Sequence, residues 1–232
     1  MKALISTAAA CAVALGAVTS SASSLSSKDI DRIQEAAKVL REIHAVPDRD
    51  IPQDLWNNAD CVIVIPSLKK AAFIVGGEYG AGVMSCRKNG DWTSPVFMQL
   101  TKGSVGFQIG AQSTDLVLLI MNRRGLEKLL NDKVSLGADA SVAAGPVGRT
   151  ASAATDAQLS AEILSYSRSQ GLFAGINLSG GVMKPDNDAQ VRAYGPNVAA
   201  SDVALGNKRV SLEQATAFLS ALKRQTGAAA AN

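Results

Sequence analysis

The sequence predicts an α+β protein. Its β-rich core is mostly antiparallel, a sandwich or a barrel-like sheet, with helices from the N- and C-terminal ends packed on it. Three observations lead there. From Cys61 to Val182 the chain is largely a succession of short apolar runs bounded by turn residues, the pattern of strands. Segments 27–46 and 211–225 instead repeat their apolar residues at helical spacing. From Ser135 to Ser179 a Gly, Ala or Ser stands at nearly every second position with almost no charge, which lets one backbone approach another closely.

The elements follow in chain order. In 27–46, Ser27 is a cap, Asp29 and Asp31 occupy the first turn, and Ile30, Ile33, Ala37, Leu40 and Ile43 share a face up to Pro47. Its polar face mixes Lys28, Asp31, Arg32, Glu35, Lys38, Arg41 and Glu42, so the charges nearly cancel. A helix built to lie on an anionic membrane would be rich in Lys and Arg, so this one reads as docked on the core. A short helix follows at 53–58, then strands at 61–65, 72–76, 81–87, 92–100, 104–111 and 115–121. Asn89-Gly90 marks a tight hairpin, because both residues tolerate the positive φ such turns need. Residues 123–132 carry Leu126, Leu129 and Leu130 and read as a helix, and further strands run from 134 to 182. The chain ends in helices at 201–205 and 211–225, the latter capped by Ser211 with Leu212, Ala215, Phe218, Leu219 and Leu222 on one face. Gly110 and Gly175 are expected in close contacts that a branched side chain would overfill.

Residues 1–22 read as a secretory leader, with Lys2 as the positive end, an Ala-rich apolar run to Val18, and small residues up to Ala22. A transmembrane anchor would need about 20 strongly apolar residues. Acylation at Cys11 would strand the apolar residues that follow it, so lipoprotein anchoring is the weaker reading. A single domain then spans 23–226, with a tail at 227–232 that has nothing to bury. The net charge of +3 falls to about +2 without Lys2, which argues against general nucleic-acid binding. Cys61 opens one apolar run and Cys86 ends another. In an oxidising compartment they form either one disulfide or two buried thiols.

No catalytic constellation is visible. His44 is the only histidine, and neither C-x-x-C, G-x-S-x-G, a Walker motif nor G-x-G-x-x-G occurs, so no metal or cofactor is implied. Glu78, Asp115, Asp139, Asp156 and Glu162 are scattered, with no two singled out as an acid–base pair. Gln108, Gln112, Ser113, Thr114 and Asp115 form a polar cluster that reads as satisfying backbone groups at a strand end. Lys69-Lys70, after Ile65-Pro66, and Arg123-Arg124, opening a helix, place adjacent cations beside apolar strands; Arg149 is a further cation. Such pairs are either solvated loop charge or contacts to an anionic headgroup with acyl chains nearby.

Several blocks carry a family resemblance: GGEYG at Gly76, SVGFQIG at Ser104, GAQSTDLVLLIMN at Gly110, LGADASVAAGPVGR at Leu136 and SYSRSQGLFAGINLSG at Ser165. Over about residues 36–203 the chain resembles the SYLF domain family. The resemblance implies lipid binding, chiefly of phosphoinositides in eukaryotic members, some of which also bind actin filaments. Bacterial relatives are exported and some are lipid-anchored. The expectation is therefore an exported, periplasmic or secreted, non-catalytic protein that meets anionic phospholipid through Lys69, Lys70, Arg123 and Arg124. A structural or protein-interaction module of the envelope is the alternative, and actin is not carried over to a periplasmic chain.

Overall fold

Apolar runs such as CVIVI and LVLLI have no polar alternation because both faces of the sheet they form are buried. The computed structural model describes residues 25–43, 50–72, 75–105, 113–130, 133–148, 160–169 and 172–227. Ten strands are described: β1 Cys61–Ala72, β2 Val75–Lys88, β3 Asp91–Trp92, β4 Val96–Val105, β5 Ser113–Ile120, β6 Val134–Ser135, β7 Val142–Ala144, β8 Ile163–Ser169, β9 Leu172–Gly175 and β10 Gly181–Pro185. They make one curled sheet in the order β6-β10-β4-β2-β1-β5-β8-β7, with β3 on β2 and β9 on β8. Of the two arrangements the sequence allowed, the curled single sheet is the one found. All its described pairings are antiparallel except β7 on β8.

The helices are α1 Ser27–Arg41, α2 Gln53–Asn58, α3 Arg123–Leu129, α4 Asn187–Tyr194, α5 Ala200–Ala204 and α6 Thr216–Gly227. On one face of the sheet, Ile33 and Leu40 of α1 and Phe218 and Leu222 of α6 pack on Val62, Val64, Val83, Phe97, Val117 and Leu119. On the other, Leu126 and Leu129 of α3 and Val203 of α5 pack on Ile63, Ile65, Met84, Met98, Leu118 and Ile120. Alternate residues of one strand thus enter different cores, as period-two geometry demands. Gln225 Nε2 donates to Leu40 O at 2.6 Å and so ties the two terminal helices together.

Several boundaries depart from the sequence reading. The cap of α1 is Ser26, which exchanges hydrogen bonds with Asp29 in a capping box, and the helix closes at Arg41 rather than reaching Val46. Asp29, in the first turn as expected, is buried. The strands expected at 61–65 and 72–76 extend into two long ones, so Lys69 and Lys70 lie inside β1 and not in a connection. Helix α4 was not foreseen, and α6 begins at Thr216 after a short 3-10 turn. The Asn89-Gly90 hairpin is as expected, with φ of 53° and 82°. Gly175 makes the expected close contact, its missing side chain pointing at the backbone of Gly145. The leader with Cys11, His44, Pro47, Gln108, Gly110, Gln112, Arg149, Asp156 and the tail beyond Gly227 lie outside the described residues.

Candidate functional site: a charged groove between helix α1 and strands β1 and β2

Pro66 interrupts the apolar run of β1, and a proline inside a strand withholds one ladder donor. There β1 carries one extra residue against both neighbours. Its register shifts between Val64 and Lys69 on β2 and between Ile65 and Leu68 on β5. Ser67 sits in the bulge with φ of 56°, a left-handed conformation that costs a non-glycine residue about 1 kcal/mol or more. Its N–H donates to Asp115 Oδ1 at 3.0 Å, and Arg168 Nε donates to Asp115 Oδ2 at 2.9 Å. Arg168 also pairs with Glu42 just beyond α1. Asp115, at the start of β5, thus satisfies a backbone group in the bulge of β1, whereas the sequence reading gave its polar cluster that role at a strand end.

The bulge decides which way Lys69 points. Ile63 and Ile65 face the α3 side, and in an unbroken strand Lys69 would join them. With the extra residue, Leu68 takes the α3-side position and Lys69 turns to the α1 side. Its cross-strand partner is Tyr79, whose ring is 48% exposed. Beneath them β2 passes so close to the bulge that a side chain at Gly80 would lie 2.5 Å from Ile65 Cγ2.

Facing Lys69 and Tyr79, helix α1 presents Lys28, Asp31, Arg32 and Glu35, residues spaced to share one helical face. The cavity between the walls measures about 530 Å³, within the range of small-ligand sites. Arg32 is anchored: it donates to Asp186 Oδ2 at 2.9 Å, lies 3.8 Å from Asp29 and stacks over Phe97. Asp29 in turn accepts from Arg192 at 2.8 and 3.0 Å. Burial pulls the Asp29 carboxyl up, but bonds from Arg192 and Ser26 outweigh it and hold the group at about 2. The same balance, with burial offset by hydrogen bonds including Arg32, lowers Asp186. This ionic cluster fixes α1 against α4 and makes the helix wall rigid. Lys28, Asp31 and Lys69 carry no ion pair among the described residues.

The four cations named from sequence do not converge. Lys69 pairs with Ser113 at the start of β5, and Arg123 follows its end, about 24 Å away at strand rise. Arg123 pairs with Glu127 at 3.0 Å and Arg124 with Glu162 at 3.4 Å, both on the exposed side of α3. Lys70 lies opposite Glu78 in the β1–β2 register. Glu162 also accepts from Lys128 at 2.8 Å on each oxygen and from the Ser141 N–H at 2.9 Å, so it ties α3 to the chain between β6 and β8. Asp139 accepts from the Ser135 N–H at 2.7 Å as a turn cap. Cys61 and Cys86 stand directly opposite on β1 and β2, Cα atoms 4.0 Å apart, and are joined by a disulfide. Among the described residues no three His, Cys, Asp or Glu side chains gather as metal ligands, and no helix is long and apolar enough to cross a membrane. Sequence reasoning missed Lys28, Asp31 and Glu35 as groove residues, and Tyr79 entirely; Pro66 within an apolar run was the signal for the bulge that assembles them.

Residues 101–225 match a family model, Ysc84, described as "Las17-binding protein actin regulator". The chain is 34% identical over 167 residues to LAS seventeen-binding protein 3 of Saccharomyces cerevisiae, covering 70% of this chain and 36% of that protein. It is 31% identical over 186 residues to Protein YSC84 of the same yeast, covering 76% and 40% respectively. To SH3 domain-containing YSC84-like protein 1 of Homo sapiens it is 30% identical over 181 residues, 75% of this chain and 53% of that protein. The chain thus spans between about a third and a half of these relatives' length. With more than half of its residues inside the family model, including the strands β5 to β10 that flank β4, β2 and β1 on both sides, the chain belongs to the Ysc84, or SYLF, family.

Proposed function

We propose that this protein is exported to a bacterial envelope and binds anionic phospholipid headgroups there without catalysing a reaction. The observation that carries the reading is Lys69. It is an exposed cation turned by a strained bulge toward a groove, and it has no ion-pair partner among the described residues. A cation placed at the cost of backbone strain points to a ligand for it. The leader-like residues 1–22 and the lipid binding implied by the sequence resemblance to the SYLF family support the same reading. Arg123 and Arg124 add attraction from another part of the surface, and Lys70, next to Lys69 in β1, is the fourth cation the reading includes. The two arginines contribute less, because Glu127 and Glu162 stand beside them.

A second reading is a protein-interaction module, favoured by the relatives' names, which describe binding to Las17. Liposome flotation separates the two. Selective binding to anionic vesicles, weakened by salt, supports the lipid reading. Each cation near such a surface contributes about 1 kcal/mol, so changing Lys69, Lys70, Arg123 and Arg124 together to Ser removes up to roughly 4 kcal/mol. Absence of flotation at low salt, or flotation by the quadruple variant with unchanged salt dependence, overturns this assignment.

A further inference from the structure

The groove beside α1 is not simply basic. Its unspent charges are of both signs, Lys28 and Lys69 against Asp31 and Glu35, while Arg32 is consumed by Asp29 and Asp186. Among the described residues Glu35 shares its charge only with the exposed Lys38 at 3.7 Å, a contact worth little in water. The phosphate of an anionic headgroup engages the two lysines here and leaves the two carboxylates unmatched. A ligand carrying both signs and no net charge would satisfy both pairs.

We infer that this groove binds a phosphoethanolamine group, a phosphodiester joined by a two-carbon linker to a primary ammonium. The inference deepens the lipid reading above and rests on it. Lys28 and Lys69, on opposite walls, donate to the phosphate oxygens as compact cations. The ammonium, with its N–H donors, faces the carboxylates of Asp31 and Glu35 and the exposed face of Tyr79. Lys28 and Asp31 are three residues apart on α1, about 4.5 Å along the axis, so groups of both signs rise from one turn of the helix wall. A quaternary ammonium is the poorer fit. It has no N–H to give two carboxylates, and it favours a cage of several aromatic rings, whereas among the described residues Tyr79 is the one aromatic side chain lining this groove.

The bulge at Ser67 serves this site. By carrying Lys69 across to the side of Tyr79 and α1, it places a cation and an aromatic face as direct cross-strand neighbours. The wall opposite is held by buried ion pairs, so the groove is formed before ligand arrives.

The test titrates the full chain with soluble glycerophosphoethanolamine, followed by backbone amide NMR, beside flotation on phosphatidylglycerol vesicles with and without phosphatidylethanolamine. Amides around Asp31, Glu35, Lys69 and Tyr79 are expected to shift. The D31N/E35Q variant, altered at two exposed positions, should lose about tenfold in affinity for the soluble headgroup. Its flotation on phosphatidylglycerol alone should increase, because two negative charges have gone. No shifts in the groove, or equal affinity in D31N/E35Q, overturns the inference. If the wild type still floats on phosphatidylglycerol in that case, the broader lipid reading survives it. Absence of flotation on every vesicle brings that reading down as well. A groove response without flotation keeps the ligand class and moves its source from a bilayer to a soluble phosphoethanolamine.

Discussion

Replacing Gly175 with alanine adds one methyl group at the point where three strands meet. The unpaired edge of β8 is shared: β7 runs parallel along Ile163 to Ser165, and β9 runs antiparallel along Tyr166 to Ser169. Ser165 O accepts from both Gly145 N and Ile176 N at 3.1 Å, which draws the two short strands together end to end. A Cβ on Gly175 would lie 3.0 Å from Gly145 N, 3.2 Å from Ala144 C and nearer still to Gly145 O. All three atoms are backbone, so no rotamer change relieves the overlap. Either strand must move by several tenths of an ångström or more, stretching one of the bonds to Ser165. Overpacking of this kind costs about 1–3 kcal/mol. For a domain of this size each kcal/mol lowers Tm by about 2–4 °C, so a drop of roughly 4–8 °C is expected at the middle of that range. Thermal unfolding followed by circular dichroism reads it directly. Gly103→Ala is the control, since nothing lies within 4 Å of its added methyl and the site is exposed. Equal melting temperatures for Gly175→Ala and wild type would refute the claim that these backbones are in contact.

The remaining predictions concern bonds that cross between distant parts of the chain. Asp29→Asn should lower stability at neutral pH by about 1.5–3 kcal/mol, because a buried, charge-assisted pair with Arg192 is weakened. Since the Asp29 carboxyl is held below its usual 3.8 at about 2, its contribution is complete above pH 4 and disappears as pH falls toward 2. Denaturant titrations should therefore show wild type and Asp29→Asn converging over that window; a constant gap would be evidence against it. Changing Cys61 and Cys86 together to Ala opens a loop with a sequence separation of 25 and should cost about 3 kcal/mol, measured as the drop in urea midpoint. Reductant should then have no further effect on the variant. Glu162→Gln should cost about 1–2 kcal/mol through weaker bonds to Lys128 and Ser141, visible as faster amide exchange in α3.

By itself the sequence determined the secondary structure wherever a local cause sufficed. The start of α1 was legible to within one residue, with Ser26 rather than Ser27 as its cap, Asn89-Gly90 makes its own turn, and CVIVI and LVLLI announce strands buried on both sides. Small residues at 144, 145 and 175 declared close backbone approach, because no larger side chain would fit there. Helix α4 was hidden because its buried positions include Gln190 and its cap Asp186 is buried too, so no apolar stripe marks it. Tertiary structure alone decided the groove. Whether Lys69 faces α1 or α3 depends on one extra residue in β1, and register is set by the partner strands rather than by β1's own pattern. Arg32 looks like any other helix-surface cation in the sequence, and only the arrival of Asp186, 154 residues away, spends its charge. Which cations remain free for a ligand is a property of long-range pairing, and local sequence does not encode it.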